Sequence, residues 1–189
     1  VKQYQEIPLD SAHRLINHGP VGLVATRSEQ GVYNIAPIAW ISPVQKDPPK
    51  LLAVVGHSHQ TYRNIVETKE FAVCVPHFSQ TRLIRQTGKS TGAEIDKFRE
   101  FKIKTFHANH LDFMLPQGCL GYLECTVFKH YVQEKTDIIV GSILSASVMQ
   151  SMFDKRFLTE KAEGKTLHHL GGSLFCTVSD QLIDFDDEQ

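Results

Sequence analysis

A proline stands inside what otherwise reads as a β-strand. Residues 32–41 (VYNIAPIAWI) are rich in branched and aromatic side chains, and Pro37 falls within them. Proline brings no N–H to a ladder, so this strand lies at a sheet edge or is bulged there. Either way, backbone groups near 34–37 are free to bond something other than a neighbouring strand. The strand before it is 21–26 (VGLVAT), and the link Ser28-Glu29-Gln30-Gly31 is polar and ends on glycine, as a hairpin loop does.

The rest of the chain continues in this manner. Asp47-Pro48-Pro49 forces a turn. Residues 51–55 (LLAVV) are a continuous apolar run, expected as a strand buried on both faces. Apolar Tyr62, Ile65 and Val66 mark a short helix over 62–69, capped near Ser58 or Thr61. Residues 71–75 form the next buried strand. Residues 79–86 read as a helix with Leu83 and Ile84 inward, 88–92 as a loop, and 95–98 as the start of another helix. A His-rich irregular stretch covers 102–117. Two long strands follow, 119–132 and 138–149, then a helical segment within 148–157 and a last strand near 175–178. In the lead-in, Tyr4 and Ile7 suit an edge strand and 11–16 a helical turn. The acidic tail after Asp180 is expected to fray. Hairpins rather than strict βαβ alternation favour a mainly β fold with flanking helices, a mostly antiparallel barrel. With no linker and no repeat, residues 1–189 are expected to form a single domain.

Composition limits the possible partners. The net charge is −1 and there is no basic block, which argues against nucleic acid. No apolar run is long enough to span a bilayer, and no charged-then-apolar segment opens the chain, so a cytoplasmic protein without a membrane partner is expected. The cysteines Cys74, Cys119, Cys125 and Cys176 include no C-x-x-C pair and suit free thiols in a reducing compartment. Cys119 and Cys125, placed on one strand, would stand about 20 Å apart.

Several groups of residues can be read for chemistry. Gly56-His57-Ser58-His59-Gln60-Thr61 joins a buried strand to a helix start, where free N–H groups and hydroxyls suit a phosphate; simple helix capping is the other reading. Trp40 is the single tryptophan and reads either as a wall for a planar ring or as core. Gly88-Lys89-Ser90 looks like the end of a phosphate-binding P-loop, but Leu83 occupies the position of the earlier glycine and no strand precedes it, so that reading is set aside. His57, His59, His107 and His110 have spacings that can hold zinc, with hydrogen-bonded or exposed histidines as the alternative. His168 and His169, beside Gly171-Gly172, suit a pocket mouth. There is no nucleophile elbow and no acid–base carboxylate pair, so an enzyme of this sequence takes its chemistry from a cofactor.

Taken together, the pattern N-x-A-P-x-A-W-x-S, then D-P-P, then S-x-x-T-x-x-N-I-x-E-T-x-E-F resembles the flavin reductase and flavoredoxin-like family of FMN-binding split-barrel proteins. It is carried by Asn34, Ala36, Pro37, Ala39, Trp40, Ser42, Asp47 to Pro49, Ser58, Thr61, Asn64, Ile65, Glu67, Thr68, Glu70 and Phe71, with Asp96-Lys97-Phe98 further on. The resemblance implies a six-stranded antiparallel split β-barrel that forms a homodimer and binds FMN. Asn34, Ile35, Ala36 and Pro37 would run along the flavin ring. Trp40, Ile41 and Ser42 would touch the ring and ribityl chain, Ser58, His59 and Thr61 the phosphate, and Lys97 the cofactor through its charge. NADH or NADPH would donate a hydride, with a protein, free flavin or small molecule as acceptor; the alternative is a flavoredoxin-like electron carrier without nicotinamide turnover. A third reading, a histidine-based metallohydrolase, requires zinc. Members of the family often carry histidine where this chain has Thr136, and His169 or His168 is the candidate to replace it.

Overall fold

The computed structural model of the chain describes residues 5–182. A 3-10 turn (Leu9–Leu15) precedes β1 (Gly22–Arg27), β2 (Tyr33–Ile38), β3 (Ile41–Gln45) and β4 (Lys50–Gly56). Helix α1 (Gln60–Thr68), β5 (Glu70–Val75), α2 (Thr81–Lys89) and the one-turn α3 (Lys97–Glu100) follow. Next come a small hairpin, β6 (Thr105–His107) with β7 (Met114–Pro116), and the long strands β8 (Gly121–Tyr131) and β9 (Thr136–Val148). Two further hairpins close the chain: β10 (Phe153–Asp154) with β11 (Arg156–Phe157), and β12 (Leu167–Gly171) with β13 (Leu174–Thr177).

One antiparallel sheet of seven strands organises the whole, in the order β2-β1-β5-β8-β9-β4-β3. Its two edges, β2 and β3, are separated in the chain only by Ala39 and Trp40. A single stretch of chain therefore begins on one edge and ends on the other, and the sheet curls until its edges approach. At the bend the Val54 N–H donates to the Trp40 carbonyl at 2.9 Å. With β2 and β3 taken as one bent strand, the barrel has the six strands expected. The pairing counts seven because the partner changes from β1 to β4 at the bend.

Pro37 is an edge proline rather than a bulge. It pairs with Leu23 in an unbroken register along β1. The register shift falls later, between Pro43 and Gln45 on β3.

The sheet is covered on both faces around β1 and β5, which explains their unbroken apolar runs. Leu23, Ala25, Ala72 and Cys74 pack with Ile84 of α2 and with Phe113 and Leu115. Val24, Phe71 and Val73 point the other way, into the barrel, with Leu51, Ala53, Val55, Ile139 and Ile65 of α1. Each large apolar side chain fully buried here contributes about 1.5–3 kcal/mol.

Several expectations are corrected. The 51–55 run is buried on one face only: Leu51, Ala53 and Val55 are buried, whereas Leu52 and Val54 line a surface hollow beneath Trp40. Helix α1 begins at Gln60, and His59 holds the cap position without a side-chain cap bond. Ser58 is exposed, and the Thr61 hydroxyl is turned inward to Asn34. Helix α2 runs on through Gly88 to Lys89, because Thr87 is buried against the sheet and donates back to the Leu83 carbonyl at 2.8 Å. The 148–157 segment is a 3-10 turn (Gln150–Met152) and a tight hairpin, not a helix. The 102–117 stretch contains the β6–β7 hairpin. Cys119 precedes β8 rather than lying on it; it packs in one core cluster with Cys74, while Cys125 lies in the other. Ile7 sits in irregular chain, and Tyr4 and the residues from 183 onward lie outside the described residues. Among the described residues no helix is long and apolar enough to cross a membrane.

Candidate functional site

The free edge of β2 is the foundation of the site. Residues along a strand turn their backbone groups alternately to either side. The Ile35 carbonyl points away from β1, because it accepts a hydrogen bond from Lys97 Nζ at 2.9 Å. By alternation the nitrogen of Pro37 also faces outward, so its missing N–H costs the ladder nothing.

Lys97 also donates to the Thr87 carbonyl at 2.7 Å and so ties β2, the end of α2 and the start of α3 together. Asp96 caps α3 by accepting from the Arg99 N–H. Lys97 is only 3% exposed, and burial lowers its pKa to about 8. An ammonium carries three donors, and these two bonds use two of them.

A hollow of about 120 Å³ opens beside this ammonium. Seven expected residues line it: Asn34, Ala36, Pro37, Ser58, His59, Thr61 and Lys97. The start of α1 adds the unpaired N–H groups and partial positive charge of a helix N-terminus. A buried polar network sets the floor. Asn34 Nδ2 donates to Thr61 Oγ1 at 3.0 Å, Asn64 Nδ2 donates to Thr26 Oγ1 at 3.0 Å, and Gln60 Nε2 donates to Asn64 Oδ1 at 2.7 Å. Asn34 Oδ1 is buried without a partner among the described residues. A buried amide oxygen left unpaired costs about 1–3 kcal/mol, so this atom is fitted to receive a donor from elsewhere.

Ile38 and Gln60 also line the hollow, and the remaining wall is Thr87, Gly88, Ser90, Thr91 and Gly92, none of which the sequence motifs place in the site. The available signal is the Gly-Lys-Ser-Thr-Gly run, whose glycines and hydroxyls suit close polar packing even though it is no P-loop. Both glycines are needed for close approach. A Cβ on Gly88 would lie 2.9 Å from Pro37 Cγ, and one on Gly92 would overlap Asn34 Oδ1.

The other expected residues fall elsewhere along the same edge. The Ile35 side chain is fully buried, and its outward carbonyl is taken by Lys97. Trp40, Ile41 and Ser42 line a second hollow of about 440 Å³ with His13, Ile16 and Leu52. Trp40 is 45% exposed, so it is wall rather than core, with the His13 ring edge-on at 6.0 Å. His169 lines a third hollow of about 570 Å³, while His168 bonds the His18 carbonyl and Thr166. Pro37 and Gly88 belong to both the first and third hollows, and Ala39 to both the second and third. The three therefore form one trough around the β2 edge.

Thr136 pairs with Gly56 and lies outside this trough. The next residue, Asp137, is fully buried and receives His57 Nε2 on one oxygen at 2.6 Å and His130 on the other. Burial pushes its carboxyl pKa up. The hydrogen bonds from His57, the Gln133 N–H, His130 and Tyr62 outweigh that and hold it well below the ordinary range. This carboxylate lies 80 positions from His57, so no local sequence pattern pairs the two. His107 is in β6 and His110 in the following loop, so the four histidines do not gather. No group of three or more potential metal ligands is found among the described residues.

The small hollow offers an anion a helix N-terminus, hydroxyl side chains that include Ser58 and Thr61, and a buried ammonium, and among the described residues no carboxylate lines it. Beyond it, apolar walls at Pro37, Ala39 and Trp40 suit a flat ring. Among the described residues no nucleophile–base pair lines the trough.

Comparison with known proteins agrees with this geometry. The family model described as flavin reductase like domain matches residues 14–168. The uncharacterized protein YddH of Escherichia coli is 30% identical over 181 residues, covering 94% of this chain and 96% of that protein. Among solved structures, an FMN-binding protein from Thermus thermophilus superposes with a TM-score of 0.83 at 17% identity, covering 97% of this chain and 99% of the other. Flavoredoxin of Desulfovibrio vulgaris superposes at 0.78 and 18%, covering 100% and 97%. Component B of nitrilotriacetate monooxygenase from Bacillus cereus superposes at 0.83 and 19%, covering 94% and 95%. At these identities the structural likeness is one of fold, a split barrel.

Proposed function

Because the chain belongs to the flavin reductase like domain family, we propose that it is an FMN-binding oxidoreductase whose cofactor lies in the trough along β2. The observation that carries this reading is the convergence of Lys97, Thr61, Ser58, the start of α1 and the unpartnered Asn34 Oδ1 on one small hollow. FMN-binding proteins among its fold neighbours support the choice of cofactor.

In this reading Ser58, His59, Thr61 and the first N–H groups of α1 hold the phosphate, with Lys97 supplying positive charge. Asn34 Oδ1 accepts a hydroxyl or ring N–H. The outward backbone groups of Ile35 and Pro37, on either side of Ala36, meet the polar rim of the ring, and Trp40, Ile41, Ser42 and His169 bound its flanks. The redox chemistry, uptake of a hydride from NADH or NADPH and delivery of electrons to a protein, free flavin or small acceptor, is supplied by FMN when bound. The residues around it bind, orient and exclude water.

The same reading makes the protein a homodimer in the cytoplasm. Phe128 (60% exposed) and Leu144 (52%), on the paired strands β8 and β9, are apolar surface that a second copy would cover. A flavoredoxin-like carrier without nicotinamide turnover is the second reading, supported by the flavoredoxin neighbours. Anaerobic addition of NADPH or NADH to FMN-loaded protein separates the two: rapid bleaching identifies a reductase. An unbleached flavin that is reduced only by a partner protein identifies the carrier. A combined Thr61→Ala and Lys97→Ala variant with unchanged FMN affinity would refute the site.

A further inference from the structure

Two of the cysteines meet thiol to thiol away from the trough. Cys74 is on β5, paired with Leu23 of β1 on one side and Tyr122 of β8 on the other, and is fully buried. Cys119 precedes β8 and packs in the same core cluster. The two thiols are hydrogen-bonded to each other. Neither lines the trough along β2.

Their surroundings differ. Cys119, 3% exposed, forms part of the wall of a separate surface hollow of about 300 Å³, with Phe106, Gly118, Tyr122 and Met149. Gly118 turns the chain just before it, with a φ of 85°. Tyr122 Oη donates to the Pro116 carbonyl at 2.8 Å and accepts from the Cys119 N–H at 3.3 Å, so the turn that carries Cys119 is held from both ends. Cys74 lies behind Cys119. Burial pushes its thiol well above the ordinary value, which keeps it protonated and a poor first nucleophile. A thiol at an opening with a second thiol in contact behind it is arranged for the first to be oxidised and the second to resolve it.

We infer that Cys119 is a peroxide-reactive thiol that Cys74 resolves as a reversible disulfide. The oxidant is hydrogen peroxide. Cys119 Sγ attacks a peroxide oxygen, the O–O bond breaks, and Cys119 sulfenic acid and a water are formed. Cys74 Sγ then displaces the hydroxyl: the S–S bond forms, the S–O bond breaks, and the Cys74 proton leaves with the hydroxyl as a second water. Two thiols are oxidised and one peroxide is reduced. The link closes a loop that carries α2, α3 and the β6–β7 hairpin, and with them Thr87, Gly92 and Lys97 of the small hollow. The chemistry itself does not rest on the FMN reading.

The test treats folded Cys176→Ser protein, which lacks the exposed thiol, with excess hydrogen peroxide, quenches with catalase, and applies thiol titration in denaturant and peptide mapping. Titratable thiols should fall from three to one, with Cys74 and Cys119 in one cross-linked peptide, and return to three with dithiothreitol. In the same background Cys74→Ala should give a dimedone adduct on Cys119, and Cys119→Ala should leave Cys74 unmodified. Three thiols that persist, a disulfide that uses Cys125 or joins two chains, or Cys119 sulfinic acid without the link would each overturn the inference. So would a dimedone adduct on Cys74 in the Cys119→Ala protein. The mapping needs no core substitution, so it decides the matter even where a core variant fails to fold.

Discussion

Lys97 Nζ donates to the carbonyl of Ile35 at 2.9 Å, across 62 positions of sequence. This bond anchors a buried charge to the outward edge of β2. Two carbonyls, those of Ile35 and Thr87, solvate the ammonium, and no carboxylate pairs with it among the described residues. A phosphate in the adjoining hollow would complete the pairing.

Lys97 therefore gives two opposite pH dependences. Its folded-state pKa, about 8, lies below the ordinary lysine value. Between the two values the unfolded chain binds more protons, so the stability of FMN-free protein should rise as pH climbs above about 8. FMN affinity should fall over the same range, because the neutral amine no longer attracts the phosphate. Lys97→Met should weaken FMN binding at pH 7 by about ten-fold or more and flatten its decline above pH 8. Fluorescence titration of FMN against pH, beside urea unfolding, measures both.

The Asn34–Thr61 pair makes a second prediction. Thr61→Val keeps the shape of the side chain but removes the nearer acceptor of Asn34 Nδ2, leaving only Thr26 Oγ1 at 3.5 Å. Stability is expected to fall by about 1–3 kcal/mol, the cost of a buried donor left unmatched. FMN affinity should fall as well, by about ten-fold. Urea midpoints and FMN titration report the two effects separately.

Gly92 tests the fit of the wall. A methyl group there would overlap Asn34 Oδ1 and displace the amide from Thr61. Gly92→Ala should cost about 1–3 kcal/mol by overpacking and should weaken FMN binding in step with Thr61→Val. The double variant should lose less than the sum of the two, because both act through Asn34.

How much of this was legible in advance differs along the chain. Pro37 announced an edge or a bulge from chemistry alone, since no proline can complete a ladder. The bend at Ala39-Trp40 left no local mark, because β2 and β3 are both good strand sequence and only the closure of the sheet gives them different partners. Leu52 and Val54 look like core in the sequence because an apolar run does not reveal which of its alternate residues face an open hollow. The hollow itself was readable where neighbouring residues build it, at Asn34 to Pro37 and Ser58 to Thr61. Residues 87–92 join it through tertiary packing of α2 against β2, which their small polar composition hinted at without locating.

Asp137 is the case where sequence distance hides part of the interaction: His57 lies 80 positions away, although His130 is only seven. It is fully buried, and its carboxyl is held below the ordinary range by His57, His130, Tyr62 and the Gln133 N–H. A depressed pKa contributes stability above the unfolded carboxylate value near 4, and that stability is lost as pH falls through the folded value. Asp137→Asn should lower stability at pH 7 by about 3 kcal/mol. The gap between variant and wild type should narrow as pH falls below about 4. Urea unfolding at several pH values checks this.

The most direct test of the central claim, FMN held in the trough along β2, is a visible-absorption titration of the FMN-free protein with FMN, run in parallel on wild type and Lys97→Met. The expected result is a saturable shift of the flavin bands at one FMN per chain for wild type, with affinity at least about ten-fold weaker in the variant. Flavin bands that stay those of free FMN in wild type, or that shift with equal affinity in both proteins, would contradict it.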